Sequence, residues 1–329
     1  SVYCLMESDS PPLLSSLSPI MPSDKKIGKL CKEFIAPYQI TDGKGFRLSK
    51  KDPRDTGIFS KKHKQELIQQ LENGVRYLEI LQDKLYAEKK QSLLIILQAM
   101  DAAGKDSIIK HVMGGINPQG CLVTSFKQPS VEEKSHDFLW RCAKALPERG
   151  MIGIFNRSYY EEVLTLKIHP EWLANEGINP KSANEKFWNS RYESIRNFER
   201  HLVHNNTKII KIFLHLSKEE QAKRFLSRLD MQSKNWKFSA NDMKERSYWD
   251  QYQQVFQDMI CKTSTEEAPW YVVPADNKWF SRIVVLASIV EKMTSLKLNY
   301  PEVSPEQEAS FPEIKRQLEK ELKAGKHGK

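Results

Sequence analysis

The stretch from Leu93 to His111, LLIILQAMDAAGKDSIIKH, decides how the rest of the chain is organised. An apolar run too short for a buried helix leads into small residues and the pair Gly104-Lys105, and a helical pattern with one apolar face follows. This order predicts a strand, a phosphate-binding loop and a helix. Unpaired backbone N–H groups at a helix N-terminus, together with the helix dipole, favour an anion there. Lys105 adds a positive charge that reaches the outer phosphates.

The match to the P-loop pattern G-x-x-x-x-G-K-[ST] is incomplete. The first glycine would fall at Ala99 and the hydroxyl at Asp106, so two of the four fixed positions differ. An ordinary strand-to-helix turn with an exposed lysine therefore stays open at this point. Asp101 lies inside the loop, and an acid that faces phosphates is costly unless a cation sits between them. It predicts bound Mg²⁺, with Mn²⁺ as the other candidate.

Length and composition limit the class of protein. The chain has 329 residues, a net charge of +9 and 40% hydrophobic residues, which fits one large α/β domain with additions. The positive charge predicts an anionic partner: nucleic acid, a membrane surface or a polyanionic substrate. Five widely spaced cysteines without C-x-x-C favour reduced thiols. Neither a membrane-spanning run nor a signal peptide is visible, so we expect a cytoplasmic protein without a membrane partner.

Four further strands are predicted after the opening one. They cover Gly120–Phe126, Met151–Phe155, Thr207–Leu216 and Trp270–Pro274. Helical patterns between them indicate a five-stranded parallel sheet with helices on both faces, and ligands bind beyond the carboxyl ends of such strands. Gly104-Lys105, Lys127 and Asn156-Arg157 would all lie on that edge.

The sequence divides into four parts. Residues 1–25, rich in Ser and Pro, predict a disordered leader. Residues 26–60 predict an irregular basic arm, 61–300 the phosphate-loop domain and 301–329 a partly helical tail. Within the domain, Ser130-Val131-Glu132-Glu133 predicts a capping box that opens one helix through Leu146.

The segment 217–263 is too long for a simple crossover helix. Its cations and aromatic residues are interleaved: Lys223, Arg224, Arg228, Lys234, Trp236, Lys237, Phe238, Lys244, Arg246, Tyr248, Trp249 and Tyr252. A solvated hairpin whose aromatics pack inward is one interpretation. The other is a lid that closes cations over phosphates, favoured because an insertion before the last strand overhangs the same edge. Stacking of single-stranded nucleic acid is a third, which the phosphate loop disfavours.

Phosphoryl transfer requires positioning and charge neutralisation. Asp101 would hold Mg²⁺, while Lys105 and Arg157 would grip the transferred phosphoryl group. The third strand ends in Asn156, where a Walker B motif would have Asp. Because a neutral amide is a poorer metal ligand, Glu161 or a water is expected to complete the metal shell.

Several ordered blocks resemble the second family of polyphosphate kinases over roughly residues 60 to 300. They are Gln98–Asp106, Asn117–Gly120, Ser135–Arg141, Leu146-Pro147, Ile154–Glu161, Phe213–Gln221, Lys234–Lys237 and Ala268–Trp270. Many blocks in one order are far more specific than a lone P-loop.

The resemblance implies a three-layer, thymidylate-kinase-like P-loop fold with a helical lid. It also implies Mg²⁺-dependent, reversible transfer of the terminal phosphoryl group of inorganic polyphosphate to a nucleotide. The family's loop acid and loop lysine fall on Asp101 and Lys105, its third-strand Asp-Arg pair on Asn156 and Arg157, and its lid arginines on Arg224 and Arg228. Asn156 followed by Glu161 is similar to class III, which phosphorylates nucleoside monophosphates and diphosphates such as AMP and ADP. Ser107 departs from the glycine that is usual at its position.

The remaining site residues are expected from their positions in the loop and near the end of the second strand. We expect Ala102, Ala103, Gly104, Asp106, Ser107 and Lys110 at the phosphates, and Lys127, Asp137 and Arg141 at the acceptor nucleotide. An ATP-dependent nucleoside monophosphate kinase and a single-stranded nucleic-acid binding module are the alternatives. A homo-oligomer is expected, and nucleic acid is not expected as a partner.

Overall fold

A computed structural model describes residues 23–235 and 238–325, and a six-stranded sheet lies at its centre. The strands are β1 (Gln39–Ile40), β2 (Ser92–Ala99), β3 (Cys121–Ser125), β4 (Ile152–Asn156), β5 (Thr207–His215) and β6 (Trp270–Pro274). Their order is β1-β6-β5-β2-β4-β3, with β2 to β6 parallel and β1 antiparallel to β6. The five predicted parallel strands are confirmed, and the arm adds a short antiparallel sixth strand.

Among the described helices, one precedes β1, two follow β6, and the others lie in the connections between strands. They are α1 (Asp24–Ile35), α2 (Lys64–Glu88), α3 (Lys105–Val112), α4 (Val131–Lys134), α5 (Trp140–Lys144), α6 (Glu161–Ile168), α7 (Glu185–His204), α8 (Lys218–Asp230), α9 (Gln232–Asn235), α10 (Ala240–Ser247), α11 (Trp249–Thr263), α12 (Lys278–Ser295) and α13 (Pro305–Gly325).

Two apolar clusters cover the two faces of the sheet. Leu93, Ile95 and Leu97 of β2 pack with α1, α2, α3 and α12. Leu94 and Ile96, which point to the other face, pack with α6, α7 and α11. The alternation of side chains along a strand supplies both faces, so the apolar run of β2 is buried on both sides. The predicted three-layer architecture is confirmed.

The arm is more regular than predicted. Its first part is the twelve-residue helix α1, which buries Ile27 and Ile35 against the core. These residues stand eight positions apart with Cys31 between them, a helical spacing that was overlooked. Farther along, the Asp276 N–H donates to the Pro53 carbonyl at 3.0 Å. The arm therefore runs past the end of β6.

The segment between β3 and β4 also differs from the prediction. Two short helices, α4 and α5, replace the single helix expected from Ser130 to Leu146. The capping box at Ser130 is present, but the Asp137 carboxylate accepts a hydrogen bond from the Leu139 N–H at 2.9 Å. Such a local side-chain contact competes with continuation of the helix.

The predicted lid at 217–263 is narrower in the structure. Helix α11 belongs to the core, because Trp249, Tyr252, Phe256 and other residues along it are buried. Of the predicted lid residues, Trp236 and Lys237 lie outside the described part of the chain, as does the side chain of Lys234. Most of the predicted leader, residues 1–22, lies outside it as well.

From Asn299 to the last described residue, Gly325, the chain forms a separate unit. Its helix α13 contains Pro312, and the side chains from Pro305 to Lys323 are exposed. Across the described residues, no helix combines the length and apolarity that crossing a membrane requires.

Candidate active site

The phosphate loop between β2 and α3 has an unusual backbone. Gly104, at the N-terminus of α3, has φ +114°, a conformation that glycine adopts without steric cost. Ala102 in the loop and Arg157 just after β4 both have φ +65°, which is uncommon for residues with a side chain. Left-handed non-glycine residues cluster at functional sites. Both lie at the carboxyl edge of the sheet, as the sequence predicted for Arg157.

Opposite charges meet beside this loop. An Arg157 Nη2 lies 3.2 Å from an Asp101 carboxylate oxygen. The carboxylates of Glu161 and Asp101 raise the pKa of Arg157. Burial and the positive charge of Arg157 lower the pKa of Lys105, against the opposing fields of Asp101, Glu161 and Asp106. The structure thus brings Asp101, Lys105, Arg157 and Glu161 into one electrostatic cluster.

A buried polar set orients Glu161. Gln98 donates to Glu161 Oε1 at 2.8 Å, and Thr165 donates to Glu161 Oε2 at 2.6 Å. Ser158 in turn donates to Gln98 Oε1 at 3.1 Å. Gln98, Ser158 and Thr165 were missed in the sequence. The available signal was a lone glutamine near the end of an otherwise apolar strand, since a buried polar side chain requires a partner.

Asn156 suits a hard cation. Its Nδ2 donates to Asp106 at 3.1 Å, while its Oδ1 is buried with no hydrogen-bond partner in the described residues. Among those residues, no group of three or more His, Cys, Asp or Glu side chains could hold a metal alone. Mg²⁺ usually takes one or two carboxylates plus substrate phosphates. The Asp101 carboxylate and the free Asn156 carbonyl fit an ion held jointly with phosphates.

Arg224 is placed differently from the phosphate-gripping arginine that was predicted. Its guanidinium is buried and donates to the carbonyls of Ala102 and Ala103 in the loop, each at 3.0 Å. It also donates to the carbonyls of Ala275 and Asp276 after β6, at 2.6 and 3.1 Å. The Arg224 Nε donates to Glu220 at 2.9 Å, so protein oxygens accept from all five N–H groups.

Helix α8 is therefore anchored to the loop. Besides Arg224, Gln221 donates to the Asp101 carbonyl at 2.9 Å. Arg228, the other predicted lid arginine, lies over the Phe225 ring at 5.8 Å. The helices of the predicted lid that could still cover the site are α9 and α10.

A cavity of about 560 Å³ opens next to the charge cluster. Its lining contains three of the five catalytic candidates and all three predicted nucleotide-binding residues: Asp101, Arg157 and Glu161, and Lys127, Asp137 and Arg141. Aromatic side chains line it as well, namely Phe126, Phe138, Trp172, Tyr252 and Phe256. Lys105, Ser107, Lys110, Arg224 and Arg228 are not among the lining residues. The site therefore has two sides, a cavity and a phosphate loop, which meet at Asp101.

Arg141 shapes the cavity through its own contacts. It donates to the Lys127 carbonyl at 2.8 Å and lies over the Phe126 ring at 5.4 Å. It also lies 3.6 Å from the buried carboxyl group of Glu162. Burial and the neighbouring Glu176 raise the pKa of Glu162 to about 8 despite Arg141 and Arg191.

Helix α10 lines the cavity and is fastened at Glu245 and at Arg246, whose Nη1 donates to the Lys218 carbonyl at 2.8 Å and to Gln221 Oε1 at 2.9 Å. Asn241, Asp242 and Glu245 of α10 line the cavity. Glu245 accepts a hydrogen bond from the Tyr252 hydroxyl at 2.6 Å and lies 3.0 Å from His169 Nε2. The His169 ring stacks on Trp172 at 4.3 Å.

With this geometry established, comparisons with known proteins identify the family. The family model described as polyphosphate kinase 2 matches residues 60–301. The chain belongs to the polyphosphate kinase 2 family. Its fold is that of the family: a crystal structure of polyphosphate kinase 2 from Arthrobacter aurescens TC1 superimposes with a TM-score of 0.78 at 40% identity, covering 85% of this chain and 95% of that one.

Two relatives match most of the length of this chain. An ADP-polyphosphate phosphotransferase of Rhodopseudomonas palustris is 50% identical over 283 residues, which is 85% of this chain and 97% of the relative. An AMP/ADP-polyphosphate phosphotransferase of Meiothermus ruber is 41% identical over 265 residues, 80% of this chain and 95% of the relative. The resemblance inferred from the sequence is confirmed. The chain is a phosphotransferase, and the nucleic-acid binding alternative is not favoured.

Proposed function

We propose that this enzyme transfers the terminal phosphoryl group of inorganic polyphosphate to AMP and to ADP, reversibly and with Mg²⁺. One observation carries the proposal: the nucleotide-sized cavity and the phosphate loop meet at the Asp101–Arg157 pair. A phosphoryl donor on the loop and an acceptor in the cavity would face each other there. The names of the relatives from R. palustris and M. ruber support the same substrates.

The residues at the junction would each perform one task. Lys105 and Arg157 neutralise the transferred phosphoryl group, and the backbone N–H groups at the start of α3 hold its neighbours. Asp101 and the free carbonyl of Asn156 would hold Mg²⁺, which supplies charge neutralisation between phosphates. Glu161, held by Gln98 and Thr165, keeps Arg157 in place and presents a fixed carboxylate to the acceptor side.

The cavity suits an acceptor nucleotide. Its volume of about 560 Å³ lies within the ordinary range for small-molecule sites. Phe138 and Trp172 offer aromatic faces to a base, and Lys127 offers a cation to its phosphates. The lid helix α10, fastened by Glu245 to His169, would exclude water during transfer.

The test is an assay with AMP, Mg²⁺ and long-chain polyphosphate, without ATP. We expect ADP and then ATP to form. Absence of both products, with ADP formed when ATP replaces polyphosphate, would instead support the ATP-dependent monophosphate kinase. Lys105→Ala is the matched negative variant, since it removes the loop cation without changing the cavity. The homo-oligomer and the cytoplasmic location stay predictions.

A further inference from the structure

Two consecutive tyrosines lie between the candidate catalytic residues Arg157 and Glu161. Tyr159 and Tyr160 follow β4, and α6 begins directly after them at Glu161. Both tyrosines are fully buried, and their rings lie 5.0 Å apart. Neither is among the described residues that line the cavity. The chain therefore passes from one site residue into the core and back to the other.

A single buried carboxylate holds both tyrosines. The hydroxyl groups of Tyr159 and Tyr160 both donate to Glu199 Oε1 of α7, that of Tyr159 at 2.9 Å. Burial and the charge of Glu199 raise the pKa of both tyrosines, so both hydroxyls keep their protons and donate. In a strand or a helix, consecutive side chains point in different directions. Their convergence on one oxygen therefore fixes the turn of the backbone between them.

Lys211, on β5, neutralises this carboxylate. Its Nζ donates to Glu199 Oε2 at 2.8 Å and to the Tyr160 hydroxyl oxygen at 3.0 Å. The third hydrogen bond goes to the Thr263 carbonyl at the end of α11, at 2.7 Å. All three donors of the ammonium group are used, and a buried polar network that is satisfied in this way is rigid. We call Tyr159, Tyr160, Glu199 and Lys211 the tyrosine anchor.

The backbone beside the anchor requires support. Arg157 has φ +65°, and a residue with a side chain keeps this conformation only where the surrounding structure fixes it. The Tyr160 N–H donates to the Ser158 hydroxyl at 3.1 Å, and its carbonyl accepts from the Leu164 N–H of α6 at 3.0 Å. The first turn of α6 is thus built on Tyr160. Since Glu161 is the next residue, a shift of Tyr160 moves its carboxylate.

We propose that the tyrosine anchor positions Glu161 for catalysis. This inference rests on the role proposed for Glu161, which faces Arg157 where the phosphate loop meets the cavity. A misplacement of about 1 Å at a reacting centre can lower the rate by about a hundredfold. Loss of the anchor therefore lowers kcat more than it weakens substrate binding. Its members are positioning residues, because they act through Glu161.

The first experiment removes one hydroxyl group and keeps the ring. In Tyr160→Phe, with AMP, Mg²⁺ and polyphosphate, we expect kcat to fall about tenfold while the KM values change by less than about twofold. Tyr77→Phe is the matched control. The buried Tyr77 hydroxyl also donates to a carboxylate, that of Asp24, but it belongs to the cluster on the other face of the sheet. This variant loses the same kind of bond and should keep kcat.

A double-mutant cycle separates positioning from a general loss of stability. In a Glu161→Gln background, Tyr160→Phe should lower kcat further by less than about twofold, because the group that it positions is already changed. A purely structural role would lower kcat by the same factor in both backgrounds, and that result would overturn the proposal. All rates are measured well below the melting temperature of each variant, so that every enzyme compared is folded.

Amide hydrogen exchange tests the anchor without turnover. The N–H groups of residues 157–164 should exchange faster in Tyr160→Phe than in the wild type, and at the wild-type rate in Tyr77→Phe. Unchanged exchange in Tyr160→Phe would overturn the proposal. Faster exchange, together with no turnover of AMP and polyphosphate by the wild type, would keep the anchor and overturn the proposed function instead.

Discussion

Replacing Arg224 by lysine separates two roles that the sequence could not distinguish. In the structure the guanidinium joins two carbonyls of the phosphate loop to two carbonyls after β6. A lysine ammonium keeps the charge but has three donors on one atom, so it cannot span both pairs. At least two buried carbonyls lose their donor.

The size of the effect follows from those lost bonds. At about 1–2 kcal/mol for each, two of them lower the free energy of unfolding by about 2–4 kcal/mol. For a protein of this size we expect the melting temperature to fall by roughly 3–6 °C. Because Ala102 holds a left-handed conformation next to these bonds, the loop should loosen and kcat should fall together with stability.

Arg228→Lys is the matched control. Arg228 lies four residues away on the same helix, with its guanidinium over the Phe225 ring at 5.8 Å. Differential scanning fluorimetry without substrate and steady-state kinetics with polyphosphate should be run on both variants. If Arg224→Lys melts like the wild type, keeps kcat and only raises the KM for polyphosphate, then Arg224 binds phosphate directly and the reasoning is wrong.

Three further predictions concern the charge cluster and the core. Asp101→Asn should lower kcat/KM by at least a hundredfold, about 3 kcal/mol of transition-state stabilisation, with an unchanged circular dichroism spectrum; near wild-type turnover would show that the site is misplaced. Burial raises the pKa of Glu162 from 4.5 to about 8. Between these two pH values the folded state keeps a proton on Glu162 that the unfolded state releases. The free energy of unfolding should therefore fall as the pH rises from 4.5 to about 8. In Glu162→Gln this fall should be reduced, and melting curves with parallel pH profiles for both proteins would contradict the shift. Lys211 is fully buried and donates hydrogen bonds to Glu199, Tyr160 and the Thr263 carbonyl. Lys211→Met should therefore lower the free energy of unfolding, measured in urea, by about 3–5 kcal/mol. Lys186→Met, at an exposed position, should leave it almost unchanged.

The sheet and its phosphate loop were accessible from the sequence because local patterns encode them. The apolar run of β2 is buried on both faces, and the strand bounds differ from the predicted ones by about one residue. The loop, Asp101 and Arg157 were placed by the rule that parallel strands present their carboxyl ends at one edge. Helix α1 was missed because basic residues around its apolar stripe made the arm look irregular.

The roles of individual polar side chains were not accessible in the same way. Arg224 and Arg228 look equivalent in the sequence, four positions apart in a charged segment, yet one is buried in a cage of carbonyls and the other lies over a ring. Gln98 and Thr165 are distant from each other in the chain and meet only at Glu161. A hydrogen bond depends on where its partner lies, and that partner comes from another element.

The sequence by itself determined the parallel sheet, the phosphate loop with Asp101 and Lys105, and the family, because periodicity, spacing and ordered motifs are local properties of the chain. Only the tertiary structure decided that Arg224 holds the loop, that Asn156 keeps a free carbonyl, and that Arg282 donates to Ser107 beside the phosphate loop. The physical reason is that burial and the pairing of charges arise when segments distant in sequence pack together.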